Sequence, residues 1–311
     1  MRRSSPVTST LDPEIAAVMA DNPRPEPLSM ATLAARRALF PPPLVAPLSD
    51  GVERTDHETR AHGPVVRVHR PVGAVGPMPC LYWMHAGGYV LGNRFLDDLR
   101  FDTWCQRHQM IAVSVEYRLA PETQYPGPLD DCRVGLQWTV EHASELGIEP
   151  TRIGIGGASA GGGLAAALAL LNRDRGSVPL AFQLLVYPML DDRQITPSSR
   201  AEVPSWSPAE NAFGWSAYLA DLGGAVDEYA APARAENLRG LPRAYVTVGA
   251  LDLFLDEDID YATRLMRAGV ATDLRVYPGL PHGFDGIAPS AAASKRAQRD
   301  LNEWLSRALQ D

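Results

Sequence analysis

The 311-residue chain contains one lysine, Lys295, and three cysteines, Cys80, Cys105 and Cys132. A single lysine leaves almost no candidate for a mechanism built on a phosphate-loop lysine or a Schiff base. An odd number of cysteines without metal-ligand spacing suits reduced thiols packed as small core residues better than a disulfide framework. Positive charge is also scarce: 29 lysines and arginines against 37 aspartates and glutamates give a net charge of -8 and a pI near 5.4. Such a balance disfavours a nucleic-acid partner, which normally requires a basic face. Nowhere do 18 apolar residues run together, and the most apolar stretch, residues 162–171, is too short to span a bilayer. Residues 1–6 are basic, yet proline and carboxylates interrupt the next thirty, which hold no 7-residue apolar core of a signal peptide. A cytoplasmic location is therefore expected. The absence of H-E-x-x-H or similar spacing argues against a metal, and no cofactor is expected.

What is present is a chain with 45% hydrophobic residues, enough to bury a substantial core in one large domain or two small ones. Helical patterns at 12–20 and 29–40 are separated and followed by prolines, and they read as an N-terminal cap over residues 1–48. A catalytic domain is expected over 49–311. From about Val52 the pattern turns to strands, with 62–70 alternating in the period-2 manner of a half-exposed strand. Apolar strand-like runs follow at 80–84, 111–115, 153–156, 182–187, 245–248 and 274–277, with helical patterns at 130–146, 161–172, 256–268 and 291–309. This alternation predicts an α/β fold, a mostly parallel sheet with helices on both faces. Between Pro188 and Pro232 the alternation lapses, and an inserted cap of about 190–230, with an aromatic helix at 208–222, is expected there.

Gly157-Ala158-Ser159-Ala160-Gly161 is a G-x-S-x-G placed between an apolar strand and a helix. A serine at such a turn needs a strained backbone to lift its hydroxyl clear of the sheet, and only small neighbours let the chain pass so closely. A dinucleotide-type glycine turn starting at Gly154 would need its third glycine where Ser159 stands. A serine hydroxyl requires a base, and in this fold the chain order is Ser, acid, His. Six of the seven histidines, His57, His62, His69, His85, His108 and His142, precede Ser159, which leaves His282 in a turn after the last strand. Loops at the carboxyl ends of parallel strands gather ligands. Asp252, directly after the 245–248 strand, is the favoured orienting acid. Its neighbours Asp256, Glu257, Asp258 and Asp260 open an amphipathic helix, where first-turn acids answer the helix dipole. The developing oxyanion needs N–H donors, for which the Ala160 amide and the His85-Ala86-Gly87-Gly88-Tyr89 loop, through Gly87 and Gly88, are the candidates.

From about residue 50 onward the chain resembles the hormone-sensitive-lipase group of α/β-hydrolases, also called bacterial esterase family IV. The HGGG-type oxyanion loop corresponds to His85 through Tyr89, the GDSAGG elbow to Gly157 through Gly162, and the Y-R-L-A-P-E segment to Tyr117 through Glu122. The acid motif maps to Asp252-Leu253-Phe254-Leu255-Asp256 and the H-G-F motif to His282-Gly283-Phe284. The resemblance implies cofactor-free hydrolysis of short-chain acyl esters beneath a cap built from the N-terminus and a later insertion. Three positions depart from the family: Ala86 and Leu253 stand for a glycine and a proline, and Ala158 for the elbow aspartate. The Ala86 methyl is expected to narrow the acyl pocket or limit bulky alcohols. Some other group is expected to satisfy what the missing aspartate contacts.

The expected reaction is attack by Ser159 on an ester carbonyl, with His282 as base, Asp252 holding it, and Gly87, Gly88 and Ala160 meeting the oxyanion. Tyr89, Trp206, Phe213 and Trp215 are candidate pocket aromatics, with Tyr218, Leu39 and Phe40 behind them; plain packing of the cap explains them equally well. Amides, lactones and carbamates share the same acyl-enzyme route. A non-catalytic small-molecule binder is the alternative from another class, although the intact serine, acid and histidine speak against it. A homodimer is a candidate assembly.

Overall fold

The computed structural model describes residues 11–39, 50–176, 178–220, 222–223 and 225–310. Among these, the strands are β1 (Val52–Glu58), β2 (Val65–Pro71), β3 (Met78–Met84), β4 (Ile111–Val115), β5 (Ile148–Ala158), β6 (Phe182–Val186), β7 (Arg243–Leu251) and β8 (Thr272–Pro281). The helices are α1 (Pro13–Asp21), α2 (Leu33–Ala38), α3 (Asp98–His108), α4 (Gly127–Glu141), α5 (Ala143–Leu146), α6 (Ala160–Arg175), α7 (Pro208–Leu219), α8 (Leu255–Arg267), α9 (Phe284–Ile287) and α10 (Ala292–Ala308). The strands form one sheet in the order β1-β2-β4-β3-β5-β6-β7-β8, in which β2 runs antiparallel to both β1 and β4 and all other pairs are parallel.

Parallel neighbours need crossovers, and the helices that supply them cover both faces of the sheet. Strand side chains alternate between the faces. Cys80, Tyr82 and Met84 of β3 join Leu136 of α4 and Leu168 of α6 on one side. Leu81 and Trp83 join Phe101 and Trp104 of α3 and Trp304 of α10 on the other. With both faces buried, the central strands become continuous apolar runs, which is why the sequence marks them.

The differences from the sequence reading lie where that signal is weak. The strand expected at 62–70 begins only at Val65, because residues 59–64 form a turn with His62 at a φ of 58° and the Thr59 amide donating to the Pro64 carbonyl. Edge strand β1, VERTDHE, and helix α3, DLRFDTWCQRH, carry too few apolar residues to announce themselves. The pattern at 130–146 breaks at His142 into α4 and α5. The pattern at 29–40 is helical only over Leu33–Ala38, and Phe40 lies outside the described residues.

Three arginines fasten the N-terminal segment. Arg37 donates to the Val90 and Ala120 carbonyls, each at 2.8 Å, and to both oxygens of Glu122 at 2.7 and 2.9 Å. Arg24 and Arg36 both reach Glu210 in the first turn of α7, at 2.9 and 3.1 Å. The same carboxylate closes a capping box with Ser207. Arg37→Ala would strand two carbonyls beside the Gly87–Gly88 loop, and a loss of about 1–3 kcal/mol in urea unfolding is expected. Because Glu122 is largely exposed, most of that loss comes from the carbonyls and little from the ion pair.

Candidate active site

The site sits one residue beyond the carboxyl ends of the central strands. In the β7–β8 ladder Leu251 is in register with Pro281, so the next residues, Asp252 and His282, emerge side by side. In the β5–β6 ladder Ala158 faces Val186, which brings Ser159 beside Tyr187. Met84 of β3 faces Gly157, so the loop that starts at His85 borders the same turn.

Ser159 has φ 56° and ψ -123°, a region an L-residue enters only under constraint. The constraint is visible. Its amide donates to the Val186 carbonyl at 2.9 Å, and its carbonyl accepts from the Met189 amide at 2.9 Å and the Gly163 amide at 3.0 Å. A Cβ on Gly161 would lie 2.1 Å from the Met84 carbonyl oxygen, and one on Gly157 would lie 2.2 Å from the Gly161 carbonyl oxygen. Glycine there lets α6 start hard against the ends of β3 and β5.

The Ser159 hydroxyl lies 2.9 Å from His282 Nε2, and His282 Nδ1 lies 2.8 Å from Asp252 Oδ2. A carboxylate only accepts, so Nδ1 carries the proton and Nε2 is left to accept from the serine. Asp252 Oδ1 is held by the Phe254 amide at 3.0 Å. All three side chains are buried. The rivals of Asp252 are engaged elsewhere: Asp256 accepts from the Ser198 amide, Asp260 pairs with Arg264, and Glu257 accepts the Leu190 and Asp191 amides. Asp258 is wholly buried, and neither of its oxygens has a partner among the described residues.

The His85–Tyr89 loop is tied to the Tyr117–Glu122 segment. Tyr117 stacks on His85 at 4.1 Å and donates to its carbonyl at 2.8 Å, while the Ala120 amide donates to the Tyr89 carbonyl at 2.9 Å. Gly87 and Gly88 take φ values of 134° and 60°, where glycine is favoured. Their N–H groups donate to no acceptor among the described residues. Ala160 opens α6, where first-turn amides lack intrahelical acceptors. A Cβ on Gly88 would lie 2.5 Å from the Trp206 ring, and one on Gly214 of α7 2.7 Å from the Gly88 carbonyl, so Trp206 and α7 rest on this loop.

Among the aromatics, Trp206 lies 6.4 Å from the His282 ring and lines a cleft of about 490 Å³ between the N-terminal segment and α7. Tyr89 and Trp215 do not line it. Tyr89 stacks on Tyr218 at 4.1 Å, packs against Trp215 at 5.2 Å and donates to the Met189 carbonyl, so all three serve the packing of α7 on the core. Phe213 is partly buried against the same cluster. Ala86 packs against the cluster on the other face, Ala158 is buried within that cluster, and Leu253 is fully buried in the core.

A supporting network was not legible in the sequence. Tyr187, held at φ 37°, sets its ring edge-on to His282 at 4.8 Å, and its hydroxyl donates to Asp285 at 2.6 Å. Arg100 of α3 grips Asp285 at 2.6 Å and Asp97 at 3.2 Å, and Asp97 accepts from the Trp83 indole at 2.8 Å. Only the tertiary structure assembles these residues, which lie on four separate segments.

An eight-stranded, mostly parallel sheet with a strained serine elbow and a Ser–His–Asp relay across its carboxyl edge defines the α/β-hydrolases. The chain belongs to that family, in its hormone-sensitive-lipase-like branch: residues 81–286 match the family described as the alpha/beta hydrolase fold. It is 34% identical over 279 residues to Carboxylesterase NlhH of Mycobacterium tuberculosis, covering 88% of this chain and 87% of that one. It is 36% identical over 228 residues to Esterase LipI of the same organism, covering 70% and 69%. Among solved structures it resembles a bacterial heroin esterase, with a TM-score of 0.91, 38% identity and coverage of 97% and 99%.

Two outcomes are expected. Tyr187→Phe keeps the ring against His282 but cuts its tie to Asp285, which Arg100 still holds, and ester turnover should fall about tenfold with little change in KM, read from initial rates. For Asp258, burial and then the charges of Glu257 and Asp252 raise its pKa well above the usual carboxylate range. A raised acid contributes stability that is fully present below its unfolded pKa, about 4, and is lost as pH rises toward the folded value. Asp258→Asn removes that loss, so its advantage in urea midpoint over the parent should grow from pH 5 to pH 8; parallel curves would contradict a buried proton at this position.

Proposed function

We propose that the protein is a carboxylic-ester hydrolase that cleaves short-chain esters through an acyl-enzyme on Ser159. The observation that carries this reading is His282, placed within hydrogen-bonding distance of the Ser159 hydroxyl on one side and of Asp252 on the other. The Ser159 oxygen attacks the ester carbonyl as its proton passes to His282 Nε2, while Asp252 holds the ring and stabilises the imidazolium. The negative charge on the carbonyl oxygen is met by the amides of Gly87, Gly88 and Ala160, preorganised so that no donor must reorient. His282 then returns the proton to the departing alcohol. Water, deprotonated by the same ring, attacks the acyl-enzyme to release the acid and restore Ser159.

The N-terminal helices and the segment around 190–230 act as the cap that closes the site and limits the acyl chain. The rest of the setting follows from the same reading: a cytoplasmic enzyme acting on small esters without metal or cofactor. Cys80, Cys105 and Cys132, all buried and unpaired, suit a reducing compartment, and no helix among the described residues is long and apolar enough to cross a membrane.

The test is hydrolysis of p-nitrophenyl esters from acetate to palmitate by the parent protein and by Ser159→Ala. Activity should concentrate on the short chains and fall at least about 10³-fold in the variant. Turnover that survives the substitution would sink the reading, and absence of turnover on every ester would point to a binding protein or to an amide or lactone substrate.

A further inference from the structure

The cleft beside His282 has apolar walls and one charged corner. Trp206, Met19 and Ile287 supply apolar surface, and Arg24, Arg36 and Glu210 also line it. Its inner end abuts the catalytic loop twice. Ser205 donates from its hydroxyl to the His282 carbonyl at 2.8 Å, and Ile287 closes α9 just after His282. At the charged corner, two guanidinium groups share the one carboxylate of Glu210, and Arg24 also donates to the Ser205 carbonyl. Burial opposes the charge on Glu210, but the Ser207 amide and hydroxyl together with Arg36 and Arg24 outweigh it and hold the carboxyl below its usual range. Two fixed positive charges against one negative leave an excess of one positive charge. Arg24 is the more open of the pair, with its side chain 44% exposed against 15% for Arg36.

The direction of the chemistry says which half of the substrate meets this corner. The leaving alcohol takes its proton from His282 Nε2, so the alcohol portion lies on the His282 side of Ser159, and Trp206 of the cleft wall lies 6.4 Å from the His282 ring and against Gly88. We infer that the cleft is an alcohol-side subsite for esters whose alcohol carries a carboxylate, with Trp206 against its apolar body and Arg24, backed by Arg36, pairing the anion. This reading rests on the proposed esterase function. It adds a substrate class, O-acylated hydroxy acids, to which nothing else in the site commits the enzyme. An arginine is suited to the task because its fork matches a carboxylate while other donors of the same group keep their structural bonds.

The test compares 4-acetoxybenzoate, an anion at neutral pH, with its neutral methyl ester, on the full chain. The quantity read is the ratio of kcat/KM for the anionic over the neutral substrate, which cancels any general damage to the site. In Arg24→Gln the ratio should fall about fivefold, the scale of a partly exposed ion pair, and Arg24→Lys should restore most of it. Added salt should lower the parent's ratio in the same direction. An unchanged ratio, or equal losses on both esters, would overturn the subsite and leave Arg24 as a structural tie alone. Binding supplies a readout independent of turnover: 4-hydroxybenzoate and its methyl ester are titrated calorimetrically into Ser159→Ala with and without Arg24→Gln. If the parent hydrolyses neither acetate ester, the esterase reading fails. The subsite is then decided by whether Arg24→Gln weakens the acid about fivefold more than its methyl ester.

Discussion

Everything at this site depends on the backbone of one residue. Ser159 occupies a conformation that costs on the order of 1–3 kcal/mol, and a lone residue would relax out of it. It persists because its amide and carbonyl are bonded to β6, to the segment after β6 and to α6, while glycines at 157 and 161 allow α6 to begin within contact distance of β3. The helix can then start at Ala160, whose amide points out of the first turn, and the serine oxygen stands where two neighbouring loops can reach it. Larger residues at 157 or 161 would push the helix away and let the turn unwind.

Around that turn, the sheet does the positioning. Parallel pairing sets Leu251 level with Pro281, and the two residues that follow meet at 2.8 Å without any long loop to order. The histidine ring is then wedged by Phe254 at 5.0 Å and Tyr187 at 4.8 Å, both edge-on. Tyr187 is anchored through Asp285 to Arg100 of α3, so a helix on one face of the sheet steadies the base that acts at its edge. The N-terminal segment and α7 are held together with comparable economy: Glu210 both starts α7 through its capping box and receives Arg24 and Arg36 from the N-terminal segment.

Four carboxylates crowd the start of α8, and their different surroundings separate their roles. Asp252 precedes the helix and faces a histidine and an amide; Asp256 and Glu257 accept backbone amides; Asp258 faces the interior with no partner among the described residues. A helix-dipole argument treats the last three alike, since all stand in the first turn. Burial divides them, with Glu257 and Asp258 both pushed well above the usual carboxylate range chiefly by desolvation.

The sequence by itself determined the parts of this protein that follow from local spacing or chain order. The central strands are legible because burial on both faces makes them apolar runs, and the elbow because strain requires small residues at fixed offsets. His282 is legible because no other histidine follows Ser159. Only the tertiary structure decided the rest. It placed Tyr89 and Trp215 in the packing between α7 and the core, because an aromatic residue beside a motif carries no sign of which way its ring turns. It brought Arg24 and Arg36 to Glu210, more than 170 positions away, and joined Trp83, Asp97, Arg100, Tyr187 and Asp285 into one support for His282. Charge pairing over such separations leaves no periodicity in the chain. It exists only once the sheet has fixed the distances.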